Sequence, residues 1–155
     1  MKKILVGLFM LLLSIGLFSC SNESKIKESI TNKIKEHLKN PDSFEFVSMK
    51  VKKTESLKDL KKRFTIKDLK QLIKDYKELD KGYEDGQNHD DLVFVLENYL
   101  KFLEKNIDEK KDAIYYVDFV SKGTNSYGAI IQSNYEAQVL NDDNKTTLYT
   151  TELEK

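Results

Sequence analysis

The only cysteine of this 155-residue chain, Cys20, directly follows an apolar segment near the N-terminus. Lys2 and Lys3 precede that segment, and residues 4–18 carry no charge. As a helix, these residues would be about 22 Å long, shorter than the ~30 Å hydrocarbon core of a bilayer. The pattern therefore predicts a removable signal segment more readily than a membrane-spanning helix. The rest of the chain has no cysteine pair, so packing alone must stabilise its fold.

The end of this segment, Leu17-Phe18-Ser19-Cys20, resembles the lipobox of bacterial lipoproteins, although Phe18 stands where that family usually has a smaller residue. The resemblance implies that residues 1–19 are cleaved and that Cys20 receives a thioether-linked diacylglyceryl group. The mature chain would then be anchored to a membrane outside the cytoplasm. Ser21, in place of Asp, resembles sorting to the outer membrane in bacteria that have two membranes. An uncleaved signal anchor and an ordinary secretory signal with a chance cysteine are the alternatives.

Length and composition limit the domain count and the function classes of the mature chain. Without residues 1–19 it has 136 residues, a length typical of one domain. It carries 24 basic and 26 acidic side chains, a net charge of −2, which gives no support to nucleic-acid binding. Lipidation of Cys20 would leave no thiol for catalysis or metal binding. We predict a lipidated tether over residues 20–24 and a single domain over residues 25–155.

Apolar periodicity predicts three helical segments. The first covers residues 23–39, with its apolar stripe at Ile26, Ile30, Ile34 and Leu38. The second covers residues 56–80, and capping signals at Ser56 and Thr65 indicate a break or kink near Thr65. The third covers residues 91–106. The last two segments have matching apolar faces and a short connection, which predicts an antiparallel helical hairpin inserted at about residues 56–107.

Four strands are predicted, at residues 44–52, 113–121, 127–140 and 145–153. In the first strand the apolar residues change face between Phe46 and Val47, which indicates a bulge or a strand covered on both sides. The third strand alternates: one face carries Ala129, Ile131, Tyr135, Ala137 and Val139, and the other carries Gln132, Asn134, Glu136 and Gln138. That polar face is either solvated or a recognition surface, and the tyrosines of the strands suit the rim of a core or a binding surface.

The predicted fold class is therefore α+β, with an N-terminal helix packed on a four-stranded antiparallel sheet and the helical hairpin inserted after the first strand. One helix on an antiparallel meander resembles the cystatin-like arrangement. The segments at residues 37–46 and 125–128 are similar to small uncharacterised bacterial envelope proteins. Cystatins inhibit proteases through a Gln-x-Val-x-Gly loop, and residues 138–142 lack its spacing and its glycine. A shared fold would therefore carry no function with it.

Two histidines are candidates for chemistry. His37 lies near the apolar stripe of the first helix, a position typical of a packed or helix-capping histidine. His89 lies in an acidic segment with Glu84, Asp85 and Asp90, which suits a cation site. The spacing matches neither a calcium loop nor a zinc pattern, so we favour a solvated turn. The sequence predicts no metal, no cofactor and no catalytic residues.

Charge is uneven along the predicted hairpin. Residues 52–81 carry 11 basic and 6 acidic side chains, whereas residues 82–112 carry 4 basic and 9 acidic ones. One explanation is that the two helices complement each other by surface ion pairs, each contributing about 0–1 kcal/mol. The alternative is a basic face that meets anionic lipid headgroups or an acidic partner.

These patterns favour a non-enzymatic, lipid-anchored protein of the cell envelope that binds another envelope protein, as an immunity, inhibitor or assembly-accessory protein would. The lipid on Cys20 supplies the membrane contact, and no nucleic acid is involved. The alternative is an envelope hydrolase or ligand-binding protein with a carboxylate or His89 site. A deep pocket that contains convergent carboxylates or His89 would favour the second hypothesis, and a flat sheet face with exposed tyrosine would favour the first.

Overall fold

The structure, a computed structural model, describes residues 22–79, 89–125 and 127–153. Its strands are Glu45–Ser56 (β1), Asp112–Thr124 (β2), Ile130–Leu140 (β3) and Thr147–Glu152 (β4). Its helices are residues 22–35 (α1), Leu57–Arg63 (α2), Ile66–Leu79 (α3) and Asp90–Lys105 (α4). The described residues thus form an α+β fold in which the four strands make one antiparallel sheet in sequence order. The predicted signal segment and Cys20 lie outside them.

Helix α1 differs from its predicted span at both ends. It begins at residue 22, one residue before its predicted start at residue 23, so residues 22–24 of the predicted tether are helical. The helix stops at residue 35 instead of 39, because Pro41 begins a short 3-10 helix, Pro41–Ser43, that turns the chain into β1. The hydroxyl of Ser43 donates to the carbonyl oxygen of Asn40 at 2.8 Å and closes this turn. The structure therefore corrects the predicted length of the first helix.

A bulge in β1 resolves the change of face seen in its sequence. The pairing of β1 with β2 shifts register between Phe46 and Ser48, so Val47 is left over and points into solvent. Phe46, Met49 and Val51 consequently lie on one face and pack against the same hydrophobic cluster. The predicted bulge is confirmed. The extra residue inverts the alternation, so the change of face comes from the bulge and not from apolar residues on both faces of β1.

The two faces of the sheet bury separate apolar clusters. On one face, Ile26, Ile30 and Ile34 of α1 share a cluster with Val117 and Phe119 of β2 and with Ala137 and Val139 of β3. On the other face, Ile114 and Tyr116 of β2 share a second cluster with side chains of α2, α3 and α4. Strand β2 therefore has buried residues on both faces, which accounts for its nearly continuous apolar sequence.

The predicted second helix is two helices, α2 and α3, separated at Phe64 and Thr65. Each begins with a capping box, the local motif that had indicated a break. Ser56 Oγ accepts a hydrogen bond from Asp59 N at 3.2 Å, and Thr65 Oγ1 accepts one from Asp68 N at 3.1 Å. Phe64 is extended, with φ −136° and ψ 122°, so the helix cannot continue through it.

Helices α3 and α4 are in contact and complement each other in charge. Lys70 of α3 pairs with Glu104 of α4 at 2.9 Å, and Lys77 pairs with Glu97. Their uneven charges are thus partly matched within the molecule. Surface pairs of this kind contribute little stability, about 0–1 kcal/mol each.

Candidate interaction surface

The first described turns of α1 lie at the end of the sheet that carries the β3–β4 turn. Lys25 Nζ donates to the carbonyl oxygen of Asp143 at 3.3 Å. One turn later, Ser29 Oγ accepts a hydrogen bond from Thr147 N at 2.9 Å. These contacts fix the start of the described chain beside residues 141–147. We call this region the turn end of the sheet.

The other end of the sheet carries the β2–β3 hairpin and the residues that follow α1. Asn40 Nδ2 donates to Thr124 Oγ1 at 3.2 Å, and Thr124 N donates to Ser43 Oγ at 3.1 Å. Strand β2 runs from one end to the other over 13 residues. At roughly 3.3 Å per residue the two ends are about 40 Å apart.

Three hydrogen bonds join Asn125 to Tyr127 and Ala129 across the end of the β2–β3 hairpin. Its side-chain Oδ1 accepts from Tyr127 N at 2.9 Å and from Ala129 N at 3.0 Å. Its backbone N donates to the carbonyl oxygen of Ala129 at 3.0 Å. Gly128 has φ +80°, a conformation that a residue with a Cβ rarely adopts. The chain therefore reverses within a few residues and projects Tyr127 outward.

The hairpin tip exposes large apolar side chains. Tyr127 is 95% exposed, Ile130 is 75% exposed and Ile131 is 47% exposed. Ile131 also lines a groove of about 260 Å³ together with Leu38, which is itself exposed. We call Leu38, Tyr127, Ile130 and Ile131 the tip patch. Neighbouring apolar side chains left in water at one site commonly mark a surface that meets a partner.

The sequence prediction placed Ala129 and Ile131 on one face with Tyr135, Ala137 and Val139, and the structure shows that burial changes along that face. Ala137 and Val139 are fully buried and Tyr135 is partly buried, as the alternation predicts. Ala129 and Ile131 are exposed because α1 has ended before it reaches their part of the sheet. Two consecutive isoleucines next to a turn were the sequence signal of an apolar tip.

The predicted polar face of β3 divides into a covered and an open part. Gln138 lies beneath α4, where its Oε1 accepts a long hydrogen bond from Tyr99 OH at 3.4 Å. Gln132 and Asn134, further along the strand, are exposed. Between them, Lys52 Nζ lies 3.6 Å from carboxylate oxygens of both Asp118 and Glu136. This face presents charged and amide groups beside Tyr149, which is partly exposed.

Glu55, whose side chain is 14% exposed, holds α2 to the sheet. Arg63 donates to its two carboxylate oxygens from Nε and Nη2, each at 3.0 Å. Tyr116 OH donates to Oε2 at 2.8 Å. Burial, followed by the hydrogen bond and the charge of Glu55, raises the pKa of Tyr116 to about 12. The hydroxyl therefore stays protonated, and the network joins structural elements to one another.

The two histidines lie beside different helices, His37 after α1 and His89 before α4. His37 follows α1 and lines a groove of about 370 Å³ with Lys33, Asp91 and residues of β4. His89 precedes α4, where its carbonyl oxygen accepts a hydrogen bond from Val93 N at 2.9 Å. Its ring lies 5.3 Å from that of Tyr76. Glu84 and Asp85 lie outside the described residues, and the part that the structure describes contains no group of three or more potential metal ligands.

A further groove of about 490 Å³ runs between α1 and the turn end. Its walls carry both charges, with Lys25 and Lys33 facing Glu28, Glu36 and Asp143. Hydrogen bonding and charge from Lys105 lower the pKa of Asp143, which keeps this carboxyl group ionised. An ionised carboxylate tied to a lysine is suited to structure more than to proton transfer.

Helices long and apolar enough to cross a bilayer are absent from residues 22–79, 89–125 and 127–153. A scan against protein-family models, a search of curated proteins and a search of solved structures each found no match to the chain.

Proposed function

We propose that the chain is a lipid-anchored, non-enzymatic protein of the cell envelope that binds another protein through the tip patch. Immunity, inhibition and accessory roles in assembly all need this kind of binding. The lipobox-like residues at Leu17–Cys20 support the anchor. The exposed aromatic and aliphatic side chains beside the hydrogen bonds of Asn125 support the binding surface.

The position of the tip patch carries this proposal. Cys20 lies only five residues before Lys25, which contacts the turn end. A lipid on Cys20 would therefore hold the turn end against the bilayer. The tip patch, about 40 Å away along β2, would then face outward, where a partner can reach it.

The chemistry of the tip patch suits a protein partner. Tyrosine offers a large apolar area and a polar tip with little conformational freedom to lose, and it is enriched among residues that dominate binding energy. The two isoleucines lie on either side of the hairpin end, since successive residues of a strand face opposite ways. The groove beside Leu38 provides a concavity next to these projections.

We also propose the finer arrangement suggested by the sequence, a cystatin-like one with helices inserted after the first strand. The apolar cluster shared by α1 and the sheet supports it, as does the position of α2, α3 and α4 between β1 and β2. Protease inhibition is not part of the proposal, because residues 138–142 lack the Gln-x-Val-x-Gly sequence.

Photo-crosslinking in native membranes tests the binding surface. A benzophenone amino acid at Tyr127 should give one discrete heavier adduct, whereas the same probe at Lys67, an exposed position of α3, should not. Tyr127→Ala should abolish co-purification of the crosslinked protein without changing the melting temperature. Equal adducts from both positions, or full retention of the partner by Tyr127→Ala, would refute the surface.

Metabolic labelling with a fatty-acid analogue tests the anchor separately. The unsubstituted chain should incorporate the label and sediment with membranes. Cys20→Ala should lose both properties, because the apolar segment is too short to span the bilayer securely. Equal labelling of the Ala variant would contradict the lipoprotein assignment and would leave the tip patch to be judged by its own crosslinks.

A further inference from the structure

The turn end contains a lysine-lined cleft that the proposed protein-binding function does not use. The cleft has a volume of about 220 Å³ and lies between the last turns of α4 and the β3–β4 turn. Its lining includes Lys101, Lys105 and Lys111, against two carboxylates, Asp142 and Asp143. The formal charge of these five side chains is therefore +1.

Contacts within the cleft position two of the lysines. Lys105 Nζ donates to Asp143 Oδ2 at 2.6 Å. Lys111 Nζ donates to Asn106 Oδ1 at 2.7 Å and lies 5.3 Å from the centre of the Phe102 ring. An ammonium group has three donors, so each of these lysines keeps donors for a further acceptor.

Ile107 lies in the loop between Asn106 and Lys111, both of which line the cleft. It comes two residues after the end of α4 and is 90% exposed, the most exposed large aliphatic side chain in the part of the chain that the structure describes. Its loop is held in place, because Lys110 N donates to Asp108 Oδ1 at 3.0 Å and Leu57 N donates to the carbonyl oxygen of Lys111 at 2.8 Å. An apolar side chain beside ammonium groups matches the order of layers at a membrane surface, where acyl chains lie beneath headgroup phosphates.

We infer that the cleft and Ile107 contact anionic phospholipids of the anchoring membrane. The ammonium groups of Lys101, Lys105 and Lys111 bind headgroup phosphates, and Ile107 inserts at the boundary of the acyl chains. This inference rests on the proposed anchor, because Lys25 brings the first turns of α1 against Asp143, which also lines the cleft. The contact would orient the domain and keep the tip patch away from the bilayer.

A fluorescent probe on a single thiol tests this contact in the full-length lipidated protein. Ile107→Cys and Tyr127→Cys are each labelled with an environment-sensitive dye and reconstituted into vesicles of phosphatidylglycerol and phosphatidylcholine, or of phosphatidylcholine alone. The dye at residue 107 should shift to shorter wavelength, more strongly in the anionic vesicles, and the dye at residue 127 should not shift. Free inorganic phosphate should leave the shift unchanged, since a membrane surface is the ligand.

A charge variant provides the second measurement. Lys101→Gln should reduce the difference between anionic and neutral vesicles for the dye at residue 107, whereas Lys67→Gln on α3 should not. Equal emission from residues 107 and 127, or equal shifts in both kinds of vesicle, would overturn the headgroup contact. The unsubstituted chain distinguishes failure of the anchor from failure of the headgroup contact. If Cys20 carried no lipid, its free thiol would take up the dye in that chain.

Discussion

Replacing Ile30 by Ala should destabilise the protein strongly, because α1 belongs to the core. The Ile30 side chain is 0% exposed and lies in the cluster that α1 shares with β2 and β3. Removing the three carbons beyond Cβ forfeits about 2.4 kcal/mol of transfer free energy, at about 0.8 kcal/mol per carbon. Incomplete collapse of the cavity adds about 1 kcal/mol. The expected loss is about 3–4 kcal/mol, or a fall in melting temperature of about 10–15 °C.

Circular dichroism of the mature protein in detergent would measure this change, and Ile66→Ala provides a matched control. Ile66 begins α3 and is 40% exposed, so the same chemical truncation should cost less than about 1 kcal/mol. Ile30→Asp should be worse than Ile30→Ala, since it buries a charge without a partner. If Ile30→Ala melted like the unsubstituted protein, α1 would be a free stalk and the positions assigned to both ends of the sheet would be wrong.

Three further outcomes are expected. Glu55→Gln should lower the free energy of unfolding, measured with denaturant, by about 1–2 kcal/mol, because a 14%-exposed carboxylate loses its charge. The loss is limited because Arg63, the more exposed partner, regains water. No change in the denaturation midpoint would show that the network is not stabilising. Because the pKa of Tyr116 is higher in the folded protein, its protonated hydroxyl contributes full stability below pH 10 and progressively less as the pH rises through 12. Between pH 10 and 12 the free energy of unfolding should therefore fall less in Tyr116→Phe than in the unsubstituted protein. Parallel pH profiles of the two proteins would contradict this. Calcium or zinc should leave the melting temperature unchanged, whereas a specific ion at 100 times its dissociation constant would add about 2.7 kcal/mol; a saturable rise that is lost in Asp85→Ala or His89→Ala would revive the acidic segment as a site.

Local sequence signals predicted the elements whose causes are local. A period near 3.6 identifies α1, α3 and α4, because each of these helices buries one stripe against a neighbour. The two capping boxes at Ser56 and Thr65 lie where α2 and α3 begin. The bulge at Val47 was visible as a broken alternation. Each of these signals depends on residues that are only a few positions apart in the sequence.

Elements that depend on distant partners were predicted less well. Strand β1 continues to Ser56, beyond its predicted end at residue 52, through the polar residues Lys53, Thr54 and Glu55. Of these three residues only Thr54 favours a strand by itself. The cause is pairing with β2, where Lys53, Thr54 and Glu55 oppose Tyr116, Tyr115 and Ile114. Such a partner cannot be read from one segment alone.

The tip patch was missed for a reason of length. The alternation of β3 predicts which residues share a face, but burial also requires a helix above that face. The described part of α1, 14 residues, spans about 21 Å at 1.5 Å per residue. Strand β2, with 13 residues, spans about 40 Å. Roughly half of the length of the sheet on that side therefore lies beyond the end of α1.

The position of this uncovered part is what links the fold to the proposed function. Lys25 and Ser29 bind the start of α1 to the turn end. Because α1 is shorter than the sheet, the part of the sheet that it does not reach is the part next to the β2–β3 hairpin. A helix that entered from the hairpin end would have covered Ile131 and left residues near Val139 open. The N-terminal end of α1, which follows Cys20 in the sequence, lies at the turn end. This direction of α1 would bring the lipid to the turn end, and it leaves the apolar tip free at the opposite end.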